Sequence, residues 1–218
     1  MTKLYLIYNP HGGLKKGKHI LKKVLPLFQN AQKELTILES QYAGHVYDYA
    51  KELEFDGFEG ICIIGGDGTM HEVINGMLQR EDAKMLPIGL ITGGTGNSFM
   101  HDMNCLDPIK AARNIIRGEL KKIDVAKIDT EQTTFYSFNL IGWGVPTDSN
   151  IIAEKLRWLG GVRYSISAVL EVLKGKNRFA KIICDGKVFE DNYTFVIGCN
   201  TIHVGKGMKM APKALVND

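Results

Sequence analysis

Cysteine is scarce in this chain. Its four residues, Cys62, Cys105, Cys184 and Cys199, stand far apart, with no C-x-x-C pair and no adjacent histidine at ligand spacing. That pattern argues against a zinc site or a disulfide framework and fits a reducing, cytoplasmic setting. Long apolar runs are missing too. The first, Leu4 to Tyr8, stops at Asn9-Pro10. It is too short for a signal-peptide core, and no later run approaches the roughly 18 residues a membrane span requires. Nor is there a large excess of one charge: 27 Lys and Arg stand against 24 Asp and Glu, a net charge of +3. A nucleic-acid partner would call for a denser basic face, so none is expected. Peripheral, transient contact with an anionic membrane surface is compatible with this weak positive balance. His19, His45, His101 and His203 show no ligand spacing and read as surface or capping residues.

What is present is an ordinary globular balance, 44% hydrophobic and 23% charged over 218 residues, enough for one large domain or two small ones. Leu4 to Tyr8, Leu35 to Leu38, Gly60 to Ile64 and Ile88 to Ile91 are short apolar runs that end in turn residues, as buried strands do. Between them, Lys18 to Phe28, Val46 to Leu53 and Met70 to Leu78 carry apolar residues at helical spacing. Alternating strands and helices predict an α/β domain with an open parallel sheet. After about residue 121 the pattern changes to strands: Lys122 to Ile128, Phe135 to Ile141, Ala180 to Cys184 and Tyr193 to Cys199, with only Ile151 to Leu173 helical. The chain is therefore expected to divide into an α/β domain over 1–122 and a β-rich, sandwich-like domain over 123–218.

Three glycine-rich loops each follow a predicted strand: Asn9-Pro10-His11-Gly12-Gly13, Gly65-Gly66-Asp67-Gly68-Thr69 and Gly93-Gly94-Thr95-Gly96-Asn97. In an open α/β sheet such loops lie at the carboxyl ends of the strands, where ligands bind. Glycine lets the backbone approach a ligand closely, and successive N–H groups beside a helix start make an anion nest. Three such loops together would hold a polyphosphate. The run Gly12 to Lys18 begins like a Walker A loop, but His19 stands where Ser or Thr should hold Mg²⁺. None of the loops gives a G-x-G-x-x-G fingerprint. Asp67 is the one acid among the glycines. A carboxylate there either binds Mg²⁺ or takes a proton from a nucleophile; the alternative role is to stabilise the start of the next helix. Glu72 and Asn75 are three residues apart on a predicted helix and could reach one metal or hydroxyl.

The second loop, continued by Met70-His71-Glu72-Val73-Ile74-Asn75-Gly76, resembles the signature of the diacylglycerol kinase catalytic-domain family. Gly94-Thr95-Gly96-Asn97 resembles its second signature and Asn9-Pro10-x-Gly12-Gly13 its first. Trp143-Gly144, Glu154 to Gly160 and Arg163-Tyr164 resemble the sphingosine and ceramide kinase branch. The resemblance implies an ATP- and Mg²⁺-dependent kinase acting on a hydroxyl of a long-chain lipid, with Asp67 as general base and Glu72 near the reacting centre. It implies nucleotide contacts from Asn9, Pro10, Gly12, Gly13, Ser40, Gly65, Gly66, Gly68, Thr69, Gly94, Thr95, Gly96 and Asn97. Arg157 and Arg163 match arginines that contact ATP phosphates, as suits a forked guanidinium.

Three departures bear on substrate and completeness. His11 stands where sphingosine kinases tend to have Arg. Asn150 stands where they have an Asp that recognises the lipid amine, and Asn lacks that charge; Asp148, two residues earlier, is the nearest substitute. Ceramide and diacylglycerol are therefore as open as sphingosine. The segment Gly207 to Asp218 resembles the late part of the family, which continues with further strands, so the second domain is expected to be incomplete here. Asp218 matches a candidate for metal-linked catalysis in bacterial relatives. Apolar residues Val162, Ile166, Val169, Leu170 and Leu173 form a helical stripe that either lines a lipid pocket or packs in a core. Two other readings are a nicotinamide-dinucleotide kinase, which also uses a Gly-Gly-Asp-Gly loop, and a fragment that binds nucleotide or lipid without catalysis.

Overall fold

The computed structural model describes residues 2–10, 12, 15–144 and 177–218. The first half alternates strand and helix: β1 (Lys3–Tyr8), α1 (Gly17–Asn30), β2 (Glu34–Glu39), α2 (His45–Glu52), β3 (Gly60–Gly65), α3 (Asp67–Leu78) and β4 (Ile88–Thr92). The four strands form one parallel sheet in the order β2-β1-β3-β4. Two helices follow, α4 (Ser98–Asp102) and α5 (Pro108–Arg117).

Both faces of the sheet are covered, and the strands show it residue by residue. On β1, Leu4, Leu6 and Tyr8 join Ile20, Val24 and Phe28 of α1 in one buried cluster. Tyr5 and Ile7 point the other way, into a cluster with Val46 and Ala50 of α2 and Val73, Ile74 and Met77 of α3. On β3, Cys62 and Ile64 face the first cluster while Ile61 and Ile63 face the second. A strand buried on both sides must be apolar at successive positions, hence the unbroken runs in β1 and β3. Burial pushes the Cys62 thiol up to about 12, so it is a packing residue and no nucleophile.

Local signals set the helix ends. Asp107 caps α5 by accepting from Ile109 N and Lys110 N, at 3.1 and 3.3 Å, Pro108 opens the helix, and Gly118 closes it with φ +73°. Arg80 closes α2 from outside. Its guanidinium donates to the carbonyls of Ala50, Lys51 and Leu53 and pairs with Asp82 at 2.6 Å.

The later strands are β5 (Ala126–Asp129), β6 (Thr134–Ser137), β7 (Leu140–Gly144), β8 (Arg178–Cys184), β9 (Lys187–Tyr193), β10 (Phe195–Cys199), β11 (His203–Val204) and β12 (Met208–Lys209). They pair antiparallel as β5 with β6, β7 with β10, β8 with β9 and β11 with β12. The expected α/β architecture with a parallel-sheet domain followed by a β-rich region is the one observed. Details differ. The strand expected over 122–128 is confined to Ala126–Asp129, and that expected over 135–141 is two strands broken at Phe138-Asn139. The sequence pattern does not mark helices α4 and α5 or strands β9, β11 and β12.

By compactness the chain forms two units, one of 1–139 with 200–218 and one of 140–199. The sequence reading divides it at 122/123 instead. In the first unit, the returning segment is tied to the β5–β6 region: Asn200 donates to the carbonyls of Asp124 and Phe138, both at 2.9 Å, and Asp124 N donates to Val216 O at 2.7 Å.

Candidate active site

The register of the sheet brings the strand ends to one edge. Tyr8 is level with Glu39 and with Ile64, and Gly65 with Thr92, so the chain leaves β1, β3 and β4 side by side into the three glycine loops. The loops meet. Asn9, Gly12, Gly17, Ile64, Gly65, Gly66, Thr69, Gly93 and Gly94 line one pocket of about 30 Å³. Gly93 N and Gly94 N both donate to Gly65 O, at 2.7 and 3.0 Å. The approach is close enough to require glycine. A Cβ on Gly66 would lie 2.8 Å from Gly94 Cα, and one on Gly94 would lie 2.6 Å from Gly66 Cα.

Asp67 lies at the join. It opens α3, three residues earlier than the apolar periodicity indicated, and its carboxylate reaches across to the third loop. Oδ2 accepts from Ser98 N at 2.8 Å and Oδ1 from Phe99 N at 3.1 Å. The carboxylate thus serves the start of α4, the helix after the one that Asp67 opens. Each oxygen accepts one of these bonds and has a second lone pair to offer a ligand. Asn97, in the left-handed region at φ 52°, donates from Nδ2 to Gly94 O at 2.8 Å and shapes the same loop.

Ser40 is buried at the end of β2, its N–H on Tyr8 O at 3.0 Å. Beside it the Tyr8 hydroxyl is bonded to Glu39, which also faces Lys18 at 3.5 Å. Burial, with the Glu39 carboxylate second, pushes the Tyr8 phenol up to about 12, so it stays a neutral donor. Glu72 is half-buried on α3. Thr95 is exposed and Gly96 half-buried beside Asp67. Pro10 follows Asn9 in the first loop. Asp218 is exposed, its N–H bonded to Asp124 Oδ2 at 3.1 Å. Gly13, Asp148, Asn150, Arg157 and Arg163, and the apolar stripe from Val162 to Leu173, lie outside the described residues.

Two expectations are corrected. Asn75 does not share a ligand with Glu72. It is buried, donates to the carbonyls of His71 and Tyr136, both at 2.9 Å, and accepts from Tyr136 N at 2.8 Å, so its amide fastens β6 to α3. Asn75→Ala is expected to cost about 1–3 kcal/mol, because two backbone groups of Tyr136 lose their partner; thermal denaturation reads it. His203 is not a free surface residue either: Nδ1 lies 2.6 Å from Asp102 Oδ1. Pocket residues that the sequence reading passed over are Gly17 and Ile64; Gly17 belonged to the run set aside as a failed Walker A loop.

A second cavity, of about 810 Å³, is lined by further residues of α3. Met70, Ile74 and Met77 line it with Leu90, Phe99 and Met103, and it shares no lining residue with the glycine pocket. Thr69 faces one and Met70 the other. Among the described residues no group of three His, Cys, Asp or Glu could hold a metal ion, and no helix is long and apolar enough to cross a membrane.

Comparison with known proteins fits this geometry. Residues 3–128 match the diacylglycerol kinase catalytic domain. The chain belongs to that family. Residues 139–218 match the YegS C-terminal NAD kinase beta sandwich-like domain. Sphingosine kinase 2 of Arabidopsis thaliana is 36% identical over 182 residues, covering 78% of this chain and 37% of that protein. Diacylglycerol kinase of Bacillus subtilis is 30% identical over 222 residues, covering 100% of this chain and 71% of that one. The crystal structure of a diacylglycerol kinase from Bacillus anthracis superposes with a TM-score of 0.78 at 27% identity, over 99% of this chain and 70% of that one. The chain thus spans little more than a third of the plant relative's length.

Proposed function

We propose that this chain is the catalytic part of an ATP-dependent lipid kinase that transfers the γ-phosphate to a hydroxyl of a long-chain lipid. The observation that carries the reading is the Asp67 carboxylate, held by two backbone donors where the second and third glycine loops touch. The nucleotide lies with its phosphates over the loops, met by backbone N–H groups. Asp67, fixed and close to the phosphates, accepts the proton of the lipid hydroxyl as it attacks. Family resemblance adds Arg157 and Arg163 as phosphate partners. Mg²⁺ would supply charge neutralisation on the phosphates, and family resemblance offers Asp218 as a carboxylate that would hold it.

The arrangement of α3 suits an apolar alcohol. Its first turn gives Thr69 to the glycine pocket and Met70 to the apolar cavity, so neighbouring residues of one helix serve a phosphate site and an apolar one. Asn150 in place of an amine-pairing Asp favours neutral acceptors. The test is phosphate transfer from ATP with Mg²⁺ to sphingosine, ceramide and diacylglycerol in mixed micelles, with NAD alongside. Ceramide or diacylglycerol is expected to be phosphorylated at least as well as sphingosine. Exclusive use of sphingosine would remove the role given to Asn150. Transfer to NAD alone would move the chain to the dinucleotide kinases.

A further inference from the structure

The β11–β12 hairpin is built onto α4, and its tip lies beside Asp67. Asp102, at the end of α4, has a side chain only 5% exposed. Its carboxylate accepts three bonds from the entry to the hairpin: Ile202 N at 2.7 Å, His203 N at 3.0 Å and His203 Nδ1 at 2.6 Å. The hairpin closes through Met208 N on Gly205 O at 3.0 Å, and Met210 N returns to Ile202 O at 2.9 Å. Its tip is Gly205-Lys206-Gly207, three consecutive residues with positive φ, 33°, 32° and 82°. A Cβ on Gly207 would strike the His101 ring at 2.7 Å, so this turn sits flat on α4. A Cβ on Gly96 would lie 3.6 Å from Asp67 Oδ2 and 3.8 Å from Gly205 Cα, so the same turn borders the third glycine loop at the point where Asp67 is held.

The middle residue of that tip is a lysine. A side chain at φ 32° is strained, and glycine would relieve it. Lys206 is exposed and has no pairing role in the hairpin. A flexible ammonium next to a loop of backbone N–H groups is a point charge suited to phosphate.

We propose that Lys206 binds the terminal phosphate of the nucleotide, and that Asp102 is a positioning residue that holds the turn carrying it against the Asp67–Gly96 loop. The inference rests on the phosphate cradle of the functional reading, but not on the lipid acceptor. Titration calorimetry of the whole chain with ATP and with AMP tests it. Lys206→Ala is expected to weaken ATP about tenfold or more, the loss of one charged contact, and to leave AMP within about twofold; Lys206→Arg keeps most of the ATP affinity. Asp102→Asn is expected to weaken ATP in the same way, and adding Lys206→Ala to it to cause little further loss, since the two act through one contact. ATP affinity within about twofold of the unaltered chain in Lys206→Ala, equal losses of ATP and AMP, or fully additive losses would each overturn the proposal. If ATP binds as expected and no lipid is phosphorylated, the inference stands and the lipid-kinase reading falls. If the unaltered chain binds neither nucleotide, both fall.

Discussion

Asp67→Asn is expected to lower phosphate transfer to lipid about 10³-fold, the typical contribution of a positioned general base. The geometry dictates how the result must be read. Both carboxylate oxygens accept backbone N–H groups, Ser98 at 2.8 Å and Phe99 at 3.1 Å. An asparagine can satisfy only one of them and turns its own NH₂ toward the other. The variant therefore loses stability as well, by about 1–3 kcal/mol, and the third loop loosens. Loss of turnover alone cannot separate a base from an anchor. ATP affinity can. It should fall by less than about tenfold, since the backbone donors of the cradle remain. A variant with retained turnover would remove Asp67 from the chemistry and leave it as the cap of α4.

The second large effect contrasts two glycines two residues apart. At Gly66 an added methyl meets Gly94 Cα at 2.8 Å and Asn97 Oδ1 at 3.2 Å, and backbone cannot step aside. Gly66→Ala should destabilise the chain by about 1–3 kcal/mol, as overpacking does, and abolish ATP binding by prising the two loops apart. At Gly68 an added methyl meets nothing within 4 Å, and φ is not positive. The fold gives no reason for glycine there, and in the first turn of α3 alanine should be stabilising, by about 0.5 kcal/mol. If the phosphates lie against that backbone, the methyl intrudes on them instead. Gly68→Ala is thus expected to raise the melting temperature slightly and weaken ATP about tenfold or more. Calorimetry and thermal melting of the pair check this. Unchanged ATP affinity in Gly68→Ala would place the phosphates elsewhere.

Much of this was legible in the sequence because it is local. Runs such as Gly60 to Ile64 announce buried parallel strands, and loops that follow them must share one edge of the sheet, so the meeting of the glycine loops followed from periodicity alone. The Asp185-Gly186 turn, with φ 49° and 76°, is a hairpin signal of the same kind, and it marks β9 in hindsight. So do Asp107-Pro108 and Gly118 for α5. What could not be read is what depends on distant partners. Asn75 on a helix face carries no sign that Tyr136, 61 residues on, will take its amide. His203 meets Asp102 across 101 residues. Asp67 could be read as a cap or as a base; only the fold shows that its carboxylate reaches the third loop.

The central claim is that a phosphate leaves ATP for a lipid hydroxyl at this site. The direct measurement is a single-turnover reaction with γ-labelled ATP and Mg²⁺ in diacylglycerol or ceramide mixed micelles, followed by partition of the label. The label is predicted in the lipid phase as a phosphate monoester, appearing there about 10³-fold more slowly with Asp67→Asn. Label recovered only as inorganic phosphate, only on NAD, or still on ATP would contradict the account.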